Sequence, residues 1–104
     1  MTAISNLVAS LDCPNPPILD LFSDEYRAVL LNRVDDFKLQ AAKILVEEYI
    51  RSKLSENIVC LKVYAYKTLE GMSVEIFIQP ENTSTIIQYV LKLTDSNTSL
   101  VRIR

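Results

Sequence analysis

Two hydrophobic periods divide this chain. Up to about residue 55 apolar positions recur every three or four residues, and from Asn57 onward they recur every second residue. Within 3–11, Ile4, Leu7, Val8 and Leu11 fall at i, i+3, i+4 and i+7, which predicts a short helix with Thr2 as its N-cap. Pro14, Pro16 and Pro17 predict an extended connector, because each proline restricts itself and the residue before it. The next residues, Ile18-Leu19-Asp20-Leu21-Phe22, are too apolar for a free linker and are expected to tuck into the core or against a partner.

Ser23 has the chemistry of an N-cap, and Asp24 and Glu25 complement the dipole of a helix beginning there. The pattern predicts one helix from Asp24 to about Leu54. Its stripe is Leu30, Val34, Phe37, Ala41, Leu45 and Tyr49, widened by Val29, Ala42, Val46 and Ile50. A helix of that length exceeds the globular norm, so a break or bend is expected near 32–36. A stripe of this kind lies across a sheet or pairs with another helix, and packing on a sheet is the expectation adopted.

Four strands follow. Val59, Leu61, Val63 and Ala65 alternate on one face, as do Met72, Val74, Ile76 and Ile78, then Ile87, Tyr89, Leu91 and Leu93, then Val101 and Ile103. Turns are expected at Thr68-Leu69-Glu70-Gly71, Pro80-Glu81-Asn82-Thr83 and Asp95-Ser96-Asn97-Thr98, with Gly71 as the natural site for positive φ. Short connections imply an antiparallel meander. The expected fold is α+β in a single domain, 1–104. Residues 1–22 form an N-terminal helix and proline-rich connector, 23–55 the long helix, and 57–104 a four-stranded antiparallel sheet packed on it.

The far face of such a sheet should be polar. Here it is expected to carry Ile58, Cys60, Lys62, Tyr64 and Tyr66, then Ser73, Glu75, Phe77 and Gln79, then Ile86, Gln88, Val90, Lys92 and Thr94, and finally Leu100, Arg102 and Arg104. Lys62, Glu75, Gln88, Lys92 and Arg102 suit water, whereas Tyr64, Tyr66, Phe77, Ile86 and Val90 are an apolar and aromatic surplus. Three arrangements account for it: cover by the N-terminal helix and the 18–22 segment, contact with a second subunit, or a half-wet sheet with scattered apolar residues. Tyr64, Tyr66, Phe77 and Val90 are the expected partner-binding residues. Leu100 and Arg102 join them through the terminal strand, which can pair at a sheet edge.

Composition narrows the chemistry. The 104 residues include no histidine, no tryptophan, one glycine and two cysteines. Histidine-dependent triads and metal sites therefore cannot be assembled, and a glycine-rich phosphate loop is excluded. The carboxylate pairs Asp35-Asp36 and Glu47-Glu48 are adjacent on a helix and diverge by about 100°. Each reads as a solvated helix face. Net charge is -2, with -4 carried by 1–36 and +2 by 37–104, which argues against nucleic acid as a partner. Without a signal-like N-terminus or an apolar run of spanning length, a membrane is not expected either. The expected location is cytoplasmic, with Cys13 and Cys60 as reduced, inert thiols.

The order of helix and meander resembles the cystatin fold, although the first hairpin reads Lys67-Thr68-Leu69-Glu70-Gly71 where that family has Gln-x-Val-x-Gly. The stretch from about Ala42 to Arg104 also resembles the wedge subunit of contractile phage baseplates and type VI secretion systems. Leu100–Arg104 matches the family's short, hydrophobic and basic final strand, and Ser55-Glu56-Asn57 replaces its Glu-Pro-Arg signature. No functional residue carries over from either resemblance. The expected function is a non-catalytic protein-interaction or assembly subunit, self-associating or part of a larger complex. It would act through the sheet face, the helix stripe or the C-terminal edge strand, and it needs no cofactor. The alternatives are a small apolar ligand held between helix and sheet and, as the second resemblance implies, a component of a phage-tail or secretion-type contractile assembly.

Overall fold

The computed structural model describes residues 3–54, 58–81 and 83–104. The expected Thr2 cap, the Ile58 and Val59 side chains and turn residue Asn82 lie outside the described residues. The fold is α+β. Three α-helices, α1 (Ala3–Asp12), α2 (Asp24–Asn32) and α3 (Asp36–Lys53), precede an antiparallel sheet of β1 (Ile58–Thr68), β2 (Gly71–Pro80), β3 (Ile87–Thr94) and β4 (Thr98–Arg102) in the order β1-β2-β3-β4.

Capping chemistry breaks the helical stretch in two between Asn32 and Asp36, where a break or bend was expected. The Tyr26 N–H donates to Ser23 Oγ at 3.1 Å and starts α2. Asp35 then restarts the chain, its Oδ1 accepting from the Lys38 N–H at 3.0 Å, while Arg33 between the helices is extended. An aspartate that satisfies an orphan N–H stabilises a new helix start more than it stabilises a helix interior. The break re-aims the stripe. On α3 the buried line is Ala42, Val46 and Ile50, spaced by four, and Phe37 is 87% exposed, so Phe37 is not a core residue as its spacing suggested. Val29 is likewise exposed on α2.

The connector is also more structured than expected. Pro17–Leu21 forms one 3-10 turn, which drives Ile18 and Phe22 fully into the core between α3 and the sheet. That placement bears out the apolar reading of 18–22; Pro16 is extended as expected, while Pro17 already belongs to the turn.

In the sheet, Val63, Met72, Val74, Ile76, Ile78, Ile87, Tyr89, Leu91 and Leu93 face α3 and are buried, in the expected alternation. Gly71 faces Thr68 and closes the first hairpin. It has φ +153°, and a Cβ there would lie 2.1 Å from the Leu93 carbonyl oxygen, so the close approach of β3 demands glycine.

The last strand is reversed relative to expectation. Leu100 pairs with Leu91 and Arg102 with Tyr89, so these two side chains face the helices, while Val101, paired with Val90, faces outward. The Thr94 N–H donates to the Asn97 carbonyl, leaving Asp95-Ser96 as a two-residue connection, and that loop sets the register. Apolar residues at both 100 and 101 made the period ambiguous. Arg102 is tolerated on the inner side because its guanidinium reaches Asp12 Oδ2 at 2.8 Å and lies 5.8 Å from the Tyr89 ring centroid. The buried Tyr89 hydroxyl donates to the other Asp12 oxygen at 2.8 Å, which ties α1 to β3 and β4. Burial, reinforced by the Asp12 carboxylate, raises the Tyr89 phenol well above its ordinary pKa. Arg27, also buried, donates to Thr98 Oγ1 at 3.3 Å, which ties α2 to β4, and pairs within α2 with Asp24 at 3.0 Å.

Candidate interaction surface

Residues directly opposite in an antiparallel pair share a face, so the register assembles the far side of the sheet row by row. One row reads Tyr64, Glu75, Val90 and Val101; the next reads Tyr66, Ser73, Lys92 and Ser99; on the other side lie Lys62, Phe77 and Gln88. Ile103 continues that last row, its N–H donating to the Gln88 carbonyl at 2.8 Å. Four of the six expected contact residues, Tyr64, Tyr66, Phe77 and Val90, are brought together here. Leu100 and Arg102 are not: both face the helices.

The corrected register makes this surface more apolar than the sequence suggested. Tyr64 (50% exposed), Tyr66 (40%), Val101 (43%) and Ile103 (53%) are all open. Val101 and Ile103 were missed as surface residues, and the signal that would have found them is the two-residue Asp95-Ser96 loop. Tyr64 and Phe77 make an edge-to-face pair with centroids 5.9 Å apart. They form one side of an open groove of about 280 Å³, completed by Cys60, Lys62, Gln79 and Ile86. Val90, on the adjoining row, is nearly buried.

The polar groups on this face are sparse. A hydrogen bond from its hydroxyl to the Glu75 carboxylate raises the Tyr66 phenol above its ordinary pKa, with a smaller contribution from burial. Glu75 is thus anchored among aromatic and aliphatic side chains, with Lys62 and Lys92 on neighbouring rows. Arg104 reaches across to the Gln88 side chain at 3.2 Å.

The N-terminal segment does not cover this surface. α1 packs on α3 and is held by Asp12 to the inner side of β3 and β4, and the 3-10 turn packs on α3 and β4. On the opposite side of the sheet, Val46, Ile50, Val63, Ile76 and Leu91 meet in the core with at most 3% exposure, so that seam is packed.

Catalytic and metal-binding chemistry finds little material. Both cysteines are free thiols, and Cys13 donates to the Ser10 carbonyl oxygen at 3.0 Å. Among the described residues no group of three or more Cys, Asp or Glu side chains is placed to hold a metal ion, and no helix is long and apolar enough to cross a membrane. No family model, curated protein or solved structure matches the chain. The surface must therefore be read from its own chemistry.

Proposed function

We propose that this chain is a non-catalytic protein-interaction or assembly subunit whose contact surface is the far face of the sheet. The observation that carries the reading is the open aromatic and aliphatic field of Tyr64, Tyr66, Val101 and Ile103 beside the half-buried Phe77, which no described segment of this chain covers. Tyrosines suit such a role, since each buries a large ring and keeps a polar tip. A contiguous apolar surface on a small domain costs solubility unless a partner covers it. The partner surface that fits is mainly apolar, with acidic groups to meet Lys62 and Lys92.

The packed seam between α3 and the sheet gives the small-ligand alternative no observation in its favour. The open groove on the far face is shallow and at the lower end of ligand-pocket sizes, roughly 300 Å³.

The test compares wild type with the Tyr64→Ala and Phe77→Ala variants in quantitative affinity capture, followed by affinity measurement with the captured protein purified. Each variant should weaken binding by about 1–2 kcal/mol or more while its melting curve stays cooperative. Unchanged affinity in both variants removes the far face from the account.

A further inference from the structure

The open edge of β1 offers a second, separate surface. β1 is the outermost strand on its side of the sheet and the longest of the four, and among the described residues nothing donates to or accepts from its outer main chain. The Leu69-Glu70 connection closes on the facing pair Thr68 and Gly71. In a two-residue hairpin that closing pair is hydrogen-bonded, so even-numbered β1 residues spend their main-chain groups on β2. The N–H and C=O groups of Leu61, Val63 and Ala65 then point out of the edge. Long edges are normally blunted by charge, proline or a bulge. Here the register irregularity lies between Ile58 and Cys60 and the exposed Lys67 lies at the other end, which leaves 60–66 regular and free of both devices except for Lys62.

We infer that β1 pairs antiparallel with β1 of a second copy of this chain about a two-fold axis at Val63, joining two sheets into one of eight strands. The sequence is self-complementary in that register. Val63 meets Val63, Leu61 meets Ala65, Lys62 meets Tyr64 and Cys60 meets Tyr66 across the axis, so no like charges oppose and each lysine stem lies along an aromatic ring. About six main-chain hydrogen bonds form in place of those to water.

Cys60, Lys62 and Tyr64 also line the far-face groove, so pairing merges two grooves across the seam. The bonds of this inference come from the main chain of the edge, while the side chains that meet across it belong to the far face, so the Phe77 variant separates the two readings.

Light scattering from micromolar to hundreds of micromolar should show a species of about twice the 11.8 kDa chain mass. Ala65→Pro removes an outward N–H without touching the bonds to β2 and should weaken the dimer at least tenfold. Register is read directly by oxidising the Cys13→Ser/Tyr66→Cys variant. Facing residues of a non-hydrogen-bonded pair have Cα atoms about 4.5 Å apart, within disulfide range. The product should be a covalent dimer in which mass spectrometry links Cys60 to the introduced thiol, whereas wild type gives no Cys60–Cys60 link. A monomer throughout the range overturns the inference. So does a dimer that lacks the crosslink, even if Ala65→Pro fails to fold, and a dimer of that kind lost in Phe77→Ala returns self-association to the far face.

Discussion

The junction of Asp12, Tyr89 and Arg102 supports a quantitative prediction, because one exposed carboxylate holds a buried hydroxyl. The Tyr89 ring is fully buried and its hydroxyl donates to Asp12 Oδ1 at 2.8 Å, while Arg102 takes Oδ2 at the same distance. Tyr89→Phe deletes the hydroxyl and leaves Asp12 its arginine and water. A hydrogen bond to a charged group contributes about 1.5–3 kcal/mol, and the hydrated carboxylate puts this one near the lower end, about 1–2 kcal/mol. Asp12→Ala should cost more, about 2–3 kcal/mol, because it orphans the buried hydroxyl as well. The ion pair with Arg102 adds little to that total, since both side chains are substantially exposed. In the double variant Tyr89→Phe/Asp12→Ala the orphan disappears, so the combined cost should fall at least about 1 kcal/mol short of the sum of the singles. Urea unfolding followed by circular dichroism on all four proteins measures the cycle, and each kcal/mol corresponds to roughly 4–8 °C in a parallel melt. Additive costs, or a Tyr89→Phe variant within about 0.3 kcal/mol of wild type, would refute the reasoning.

Other outcomes follow from the same structure. Gly71→Ala should destabilise by about 2–4 kcal/mol, read by urea unfolding, because the new Cβ meets the Leu93 carbonyl and the backbone is at positive φ. Ile50→Ala should cost about 2–5 kcal/mol and Phe37→Ala less than about 0.5, which in paired melts separates the buried line of α3 from its solvent side. At alkaline pH the raised phenol of Tyr89 sets the sign of the effect. Its contribution is fully present below the unfolded tyrosine value of about 10 and is lost as pH rises toward the folded value. Wild-type stability should therefore fall more steeply above pH 10 than that of Tyr89→Phe, and parallel slopes would contradict the assignment.

Much of the architecture was legible in the period of the sequence. The inner face of β2 and β3 was legible because polar residues break the apolar run at alternate positions, as in Met72-Ser73-Val74-Glu75-Ile76 and Leu91-Lys92-Leu93. Two features escaped the pattern for physical reasons. Helix length called for a break near 32–36, but hydrophobic spacing runs unbroken through 30–37 and could not show that the restart at Asp35 turns Phe37 outward. In β4, Leu100 and Val101 are both apolar, so the loop and the Asp12–Arg102 contact decided which faces inward. The far face was accordingly legible in β1 and β2, where Tyr64, Tyr66 and Phe77 lie as expected, and misplaced in β4, where Val101 takes the outward position expected of Leu100 and Arg102.

The most direct test of the far face as the contact surface is hydroxyl-radical footprinting of the tagged protein, alone in dilute buffer and again in extract of its native cells. The account predicts that Tyr64, Tyr66, Phe77 and Ile103 are oxidised readily in buffer and protected several-fold in extract, while Phe37 and Leu69 react equally in both. Equal oxidation of the far-face residues in both conditions would contradict it.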